Sequence, residues 1–158
     1  KNMVDYLSFS KVLAVGGSWM VKPELISAGK YDEVTRLCRE AVTAALGFEL
    51  RHLGINDPDE HAALADAQKM ESLFGFAVKQ GNSSNFAGLG FEFMKTPYLG
   101  KNGHIAVATV SVDRAVAYLA GKGIATRAET EKRDASGALT VAYLDIEIGG
   151  FAIHLVKK

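Results

Sequence analysis

At 158 residues the chain has room for one ordinary domain, or for one small domain and a fragment of another. Its 18 basic residues balance 18 acidic ones, which excludes an electrostatic footprint for nucleic acid or an anionic membrane. The lone cysteine, Cys38, excludes an internal disulfide, and no apolar run approaches a membrane span, so a soluble, cytoplasmic protein is expected. The sequence opens at Lys1, without an initiator methionine and inside apparent structure, as expected for a piece of a longer protein.

The first stretch, "NMVDYLSFSKVLAVGGSWMVKPELISAGKYDEVTRLCREAVTAAL", predicts a helix, a short strand, a Gly-rich turn and a helix. Val12 to Val15 form a continuous apolar run of the kind buried on both faces in a parallel sheet. Tyr31 to Ala45 have helical periodicity, with Val34, Leu37, Cys38, Ala41 and Val42 on one face. A single strand with flanking helices cannot cover itself. This stretch is therefore expected to be mobile or to borrow contacts from another chain.

From Phe48 the pattern changes. "FELRHLGIN" predicts a strand, and "DPDEHAALADAQKMESLFGF" a helix with Asp57 as N-cap and Pro58 at its first position. "FAVKQGNSSNFAG" and "LGFEFMK" predict two or three short strands. The order then starts again: "NGHIAVATV" as a strand, "SVDRAVAYLAGKG" as a helix opened by Ser111, and "GALTVAYLDIEI" and "GGFAIHLVK" as strands. The chain thus carries an internal repeat, with modules at about 47–96 and 102–158.

Three of the four histidines stand in these apolar strands. His52 of the first copy matches His104 of the second, and Glu92 matches His154 on the last strand of each copy. Strand alternation puts His52 on one face with Leu50 and Gly54, Glu92 with Gly90 and Met94, His104 with Ala106 and Ala108, and His154 with Ala152 and Val156. The bulky neighbours take the opposite face. Pairing two such half-sheets about a pseudo-twofold axis brings the four polar side chains together. Neutral imidazoles and a carboxylate in a partly dry cleft form a ligand set for a divalent transition metal, with zinc, nickel, cobalt or ferrous iron favoured over magnesium or calcium. Satisfied core histidines are the competing explanation. His61 reads as a surface residue, and Glu147, before a Gly-Gly turn, as a weaker rival to His154.

The second section resembles the vicinal oxygen chelate superfamily, the glyoxalase and dioxygenase fold, over residues 47 to 158. "GHIAV" is similar to the start of a glyoxalase second module. The resemblance implies an α+β fold of paired βαβββ modules forming a half-open barrel around a metal. It also implies ligands from the first and last strand of each module, positions that His52, Glu92, His104 and His154 occupy. His154 stands where the family usually has glutamate, so the carboxylate base of glyoxalase proton transfer is missing. The first section, "VLAVGGSWMV" followed by "GKYDEVTRLCREAV", resembles the C-terminal end of the keto-deoxy-phosphogluconate / keto-hydroxyglutarate aldolases, class I aldolases built on a (β/α)8 barrel. By that resemblance Gly16, Gly17 and Ser18 are substrate phosphate contacts, for which close-approaching N–H groups and a hydroxyl suit an oxyanion.

Two segments are therefore expected: 1–46 as the tail of an aldolase-type barrel, and 47–158 as a glyoxalase-like domain. Lys11 and Lys22 do not match the aldolases' Schiff-base lysine, so the lyase chemistry, splitting a 2-keto acid into pyruvate and an aldehyde, belongs to a parent with the whole barrel. That part needs no cofactor. The glyoxalase-like part is expected to bind a metal and a small-molecule oxo-acid within a homo-oligomer, with no nucleic acid or membrane partner. The alternative is a metal-free binding or oligomerisation module without activity of its own.

Overall fold

Two short Ala-lined helices and one mixed sheet are the outcome of the repeat in the second section. The computed structural model describes residues 3–9 and 11–158; Lys1, Asn2 and Ser10, which belong to the predicted first helix and the approach to the predicted strand, lie outside the described residues. Ahead of the sheet come helix α1 (Met3–Ser8), a 3-10 turn (Ser18–Met20), and helices α2 (Pro23–Ser27) and α3 (Tyr31–Leu46). Gly47 closes α3 in the left-handed conformation, at φ 60°. The predicted helical face of α3 is half-buried rather than buried, and Val42 is exposed.

The predicted strand at Val12–Val15 is absent. Residues 12–17 run without regular structure or sheet partner, and Leu13 is 87% exposed. A backbone meant for a parallel sheet forms no ladder when no neighbouring strand is offered. The stretch borrows contacts instead from its own chain, as described below.

The first module consists of β1 (Glu49–Asn56), α4 (Glu60–Phe74), β2 (Val78–Gln80), β3 (Ser84–Ala87) and β4 (Phe91–Met94). The second consists of β5 (Gly103–Thr109), α5 (Val112–Ala120), a two-residue β6 (Lys132–Arg133), β7 (Leu139–Ile148) and β8 (Phe151–Lys157). All join one sheet in the order β2-β3-β4-β1-β5-β8-β7-β6. Within each copy the first and last strands pair in parallel, β1 with β4 and β5 with β8. The copies meet antiparallel along β1 and β5, so the sheet reads the same from either end.

The helices cover one face. Under α5, Val112 and Ala115 pack with Leu139, Ala142, Leu144, Ile153 and Leu155; under α4, Ala63 and Ala67 pack with Ala87 and Phe93. Leu46, at the end of α3, joins the first of these clusters, and the buried Thr109 hydroxyl donates to its carbonyl at 2.7 Å. Ser111 caps α5 as expected, accepting from the Arg114 N–H. The cap of α4 is Asp59 and not Asp57. Asp59 Oδ1 accepts from the N–H groups of His61 and Ala62, both at 2.9 Å, whereas Asp57 is a buried residue just past β1.

The alternation expected for β1 also needs correction at Leu50. Leu50 pairs with Val107 and His52 with Ala106, so Arg51 is an extra residue, a β-bulge. Leu50 consequently shares a face with Val107 rather than with His52, and it lies 72% exposed at the sheet's end. Among the described residues, no helix is long and apolar enough to cross a membrane.

Candidate metal centre

The face left open by the helices carries the polar residues of both copies. Register places Gly54 between Glu92 on β4 and His104 on β5, with Ala106 between His52 and His154. Side chains from four central strands thereby come together, Glu92 against His52 and His104, and His154 against the same two histidines. His52 Nε2, His104 Nε2 and Glu92 Oε2 form a triangle whose three edges are each 3.1 Å. His154 sits beside them: ligand atoms of His52, His104 and His154 all lie within 4.8 Å of one another. Its ring centroid is 4.9 Å from that of His104 and 5.5 Å from that of His52.

Two features make room for this packing. A Cβ on Gly54 would stand 2.1 Å from His104 Cε1, so only glycine admits the ring at that register position. The other is the run of small residues opposite, Ala106 and Ala152, which pair with His154 and His104 respectively.

Hydrogen bonding alone does not satisfy the cluster. His104 and His154 are only 3% and 6% exposed, yet His104 Nδ1 and both ring nitrogens of His154 are buried with no hydrogen-bond partner among the described residues. Such groups are rare in folded proteins because desolvation is uncompensated. A divalent ion held by the facing ring nitrogens and the carboxylate would supply part of what these groups lack. Metal–ligand bonds of about 2.0–2.1 Å separate cis ligands by about 3.0–3.4 Å, the range in which the triangle falls. The donor set therefore fits a first-row transition metal.

The surroundings hold the ligands in their metal-ready forms. Burial pulls on Glu92 in the direction of protonation, but hydrogen bonds from His104, His52 and Ser84 outweigh it and keep the carboxyl well below the usual range. The Ser84 hydroxyl donates to Glu92 Oε1 at 2.6 Å, leaving Oε2 to face the histidines. Burial, reinforced by the neighbouring His104 and His52, lowers His154 to about 3, so it is a neutral imidazole. Tyr143 stacks on that ring at 4.7 Å with planes 16° apart; burial, with the Glu92 charge adding, pushes its phenol up to about 12. Phe86 covers the His52 edge at 5.6 Å.

Ser84 and Tyr143 escaped the sequence reading. Tyr143 was within reach of it, since strand alternation in "GALTVAYLDIEI" puts it opposite His154. Ser84 carried no signal beyond a hydroxyl in a Ser/Asn turn. His61 is exposed, as anticipated, and Glu147, the weaker rival to His154, is exposed too. Gly16, Gly17 and Ser18 lie in succession at the start of the 3-10 turn, far along the chain from this centre, and the Trp19 ring folds over Gly17 so closely that no Cβ would fit there.

No family model matches the chain. A segment of 45 residues, 28% of the chain, is 51% identical to a 2-dehydro-3-deoxy-phosphogluconate aldolase of Dickeya dadantii, and 44 residues are 50% identical to the KHG/KDPG aldolase of Escherichia coli strain K12. The chain spans about a fifth of the length of these relatives, 21% in each case. Among solved structures, methylmalonyl-CoA epimerase from Mycobacterium tuberculosis superposes on 68% of the chain and 86% of its own length, with TM-score 0.50 and 16% sequence identity. The fold is of the vicinal oxygen chelate kind. The paired βαβββ architecture is thus established, and the aldolase similarity is one of sequence, without a barrel fragment in the structure.

Proposed function

We propose that residues 47–158 form a divalent transition-metal domain that binds a small oxo-acid through vicinal oxygens, with His52, Glu92, His104 and His154 holding the ion. The observation that carries this is the 3.1 Å triangle of two imidazole nitrogens and a carboxylate oxygen amid orphaned buried ring nitrogens. When bound, zinc, nickel, cobalt or ferrous iron supplies a Lewis acid that polarises a carbonyl. The chain's own residues do the rest. Ser84 orients the carboxylate, Tyr143 holds the plane of His154, and Phe86 shields His52 from water. With His154 neutral and no second carboxylate in contact with the triangle among the described residues, binding and polarisation are favoured over glyoxalase proton transfer.

Residues 1–46 then belong to an aldolase-type segment, and the 45-residue similarity supports a lyase parent that releases pyruvate from a 2-keto acid. In such a parent Gly16, Gly17 and Ser18 would contact the substrate phosphate.

The test is elemental analysis of protein purified without added metal. Near-stoichiometric zinc, nickel, cobalt or iron is expected, and its loss in His104→Ala and Glu92→Gln. Absence of metal after incubation with an excess of each ion refutes the site. A metal-free assembly module is the second reading, favoured by the exposed Phe9, Leu13, Trp19 and Ile26 of the first segment. Sedimentation of a homo-oligomer unchanged by chelator would support it.

A further inference from the structure

The β1 bulge has a specific result. Regular alternation would send Arg51 to the helix-covered face with Leu53 and Ile55. The extra residue turns it instead onto the open face next to His52, and the two side chains line one cavity of about 410 Å³. Lys79 reaches the same cavity from β2: it pairs with Phe86, which pairs with Glu92, so all three share the open face. Phe86, Leu89 and Val156 add apolar wall to the same cavity.

Neither Arg51 nor Lys79 makes a hydrogen bond or ion pair with any of the described residues. Lys69, by contrast, pairs with Asp66 at 2.6 Å. Of the carboxylates on the open face, Glu92 is engaged by His52, His104 and Ser84, and Glu49 by Lys158 at 2.8 Å. The cavity therefore offers two cations unengaged by the described residues, in one lining with the candidate metal ligand His52 and the apolar Phe86, Leu89 and Val156. A bulge costs ladder hydrogen bonds, and it re-aims one side chain in return.

We infer that the ligand of this site carries a second acidic group, a carboxylate remote from its chelating end, held by Arg51 with Lys79 beside it. The ligand class is then a short-chain oxo-dicarboxylate whose apolar carbons cross Phe86 and Val156. The inference rests on the oxo-acid proposal for the chelating end. Arg51 suits the role because its guanidinium can grip a carboxylate with two parallel N–H donors.

The test uses two probes with the same oxo-acid head and chain length, 2-oxoglutarate and 2-oxopentanoate, which differ only in the remote carboxylate. Calorimetric titration of the metal-loaded protein should show 2-oxoglutarate binding about 10- to 100-fold tighter, the range for a charge-assisted pair. Arg51→Gln should abolish the preference, Lys79→Gln should reduce it, and Arg51→Lys should restore part of it, all with unchanged metal content. Equal affinity for the two probes in the unmodified protein, or a preference that survives Arg51→Gln, overturns the inference. If the protein takes up no metal, the metal proposal fails separately, and the same titrations on metal-free protein still decide the role of Arg51.

Discussion

Gly54 shows how one missing side chain defines the centre. Its backbone lies in the middle of β1, where alanine is conformationally acceptable, so any penalty for a methyl group is purely steric. That methyl would stand 2.1 Å from one His104 ring atom and 2.4 Å from Nε2, far inside contact distance. Gly54→Ala should therefore displace His104 and weaken metal binding by about 10-fold or more, with an overpacking cost of about 1–3 kcal/mol. Gly90 is the internal control. A Cβ there meets nothing within 4 Å, so Gly90→Ala should leave metal affinity and the melting temperature close to wild type. A chelator competition that ranks the two variants together would show that the close approach at Gly54 has no bearing on the ligands.

At the scale of elements, the start of α4 separates two aspartates that look alike in sequence. Asp59 caps the helix, whereas Asp57 is 5% exposed with an oxygen that has no partner among the described residues. Burial, followed by the nearby Asp66 and Asp59 carboxylates, pushes Asp57 up to about 6 against an ordinary 3.8, while Lys69 offsets little of this. A raised carboxyl stabilises the fold at low pH, and the contribution is lost as pH climbs from 3.8 through about 6. At neutral pH the ionised group opposes folding. Asp57→Asn removes the charge and gains a donor toward Asp66. It should stabilise by about 1 kcal/mol at pH 7, well under the ~3 kcal/mol that the full shift would allow without screening. Urea midpoints for the two proteins should converge below the ordinary aspartate range; a gain that persists there would trace the effect to packing rather than charge. Sequence favoured Asp57 because it precedes Pro58, a common first helical residue. Only the strand's extension through Asn56 moves the cap two residues on. The bulge at Arg51 was equally hidden, since an extra residue in a ladder becomes visible only when the partner strand's register is known. Strands, helices and their repetition, by contrast, follow from local periodicity, and so did the faces of His104, His154 and Glu92.

For the whole molecule, duplication explains both what was legible and what was not. Two copies of one pattern announce a sheet symmetrical about β1 and β5, and that symmetry brings His52, His104 and His154 together, with Glu92 against the first two. Residues 12–17 have no second copy and no ladder, so nothing local could reveal where they would rest. They are tied to the second module by Arg114 of α5, whose Nη1 donates to the Leu7 carbonyl at 2.9 Å and whose Nη2 donates to that of Val12 at 2.7 Å. Charge-assisted bonds of this kind are worth about 1.5–3 kcal/mol each when partly buried. Arg114→Ala should accordingly release the stretch while sparing the metal centre, because its backbone N–H still meets the Ser111 cap. Trp19, the chain's single tryptophan, lies just downstream and reports the change. Its emission should shift to the red and limited proteolysis should cut faster between α1 and α2, with metal uptake unaltered. Unchanged emission and cleavage would mean that packing of α1 on α3 holds the segment without help from α5. Loss of metal uptake in the same variant would mean that the segment and the sheet fold as one unit, leaving no boundary at residue 46.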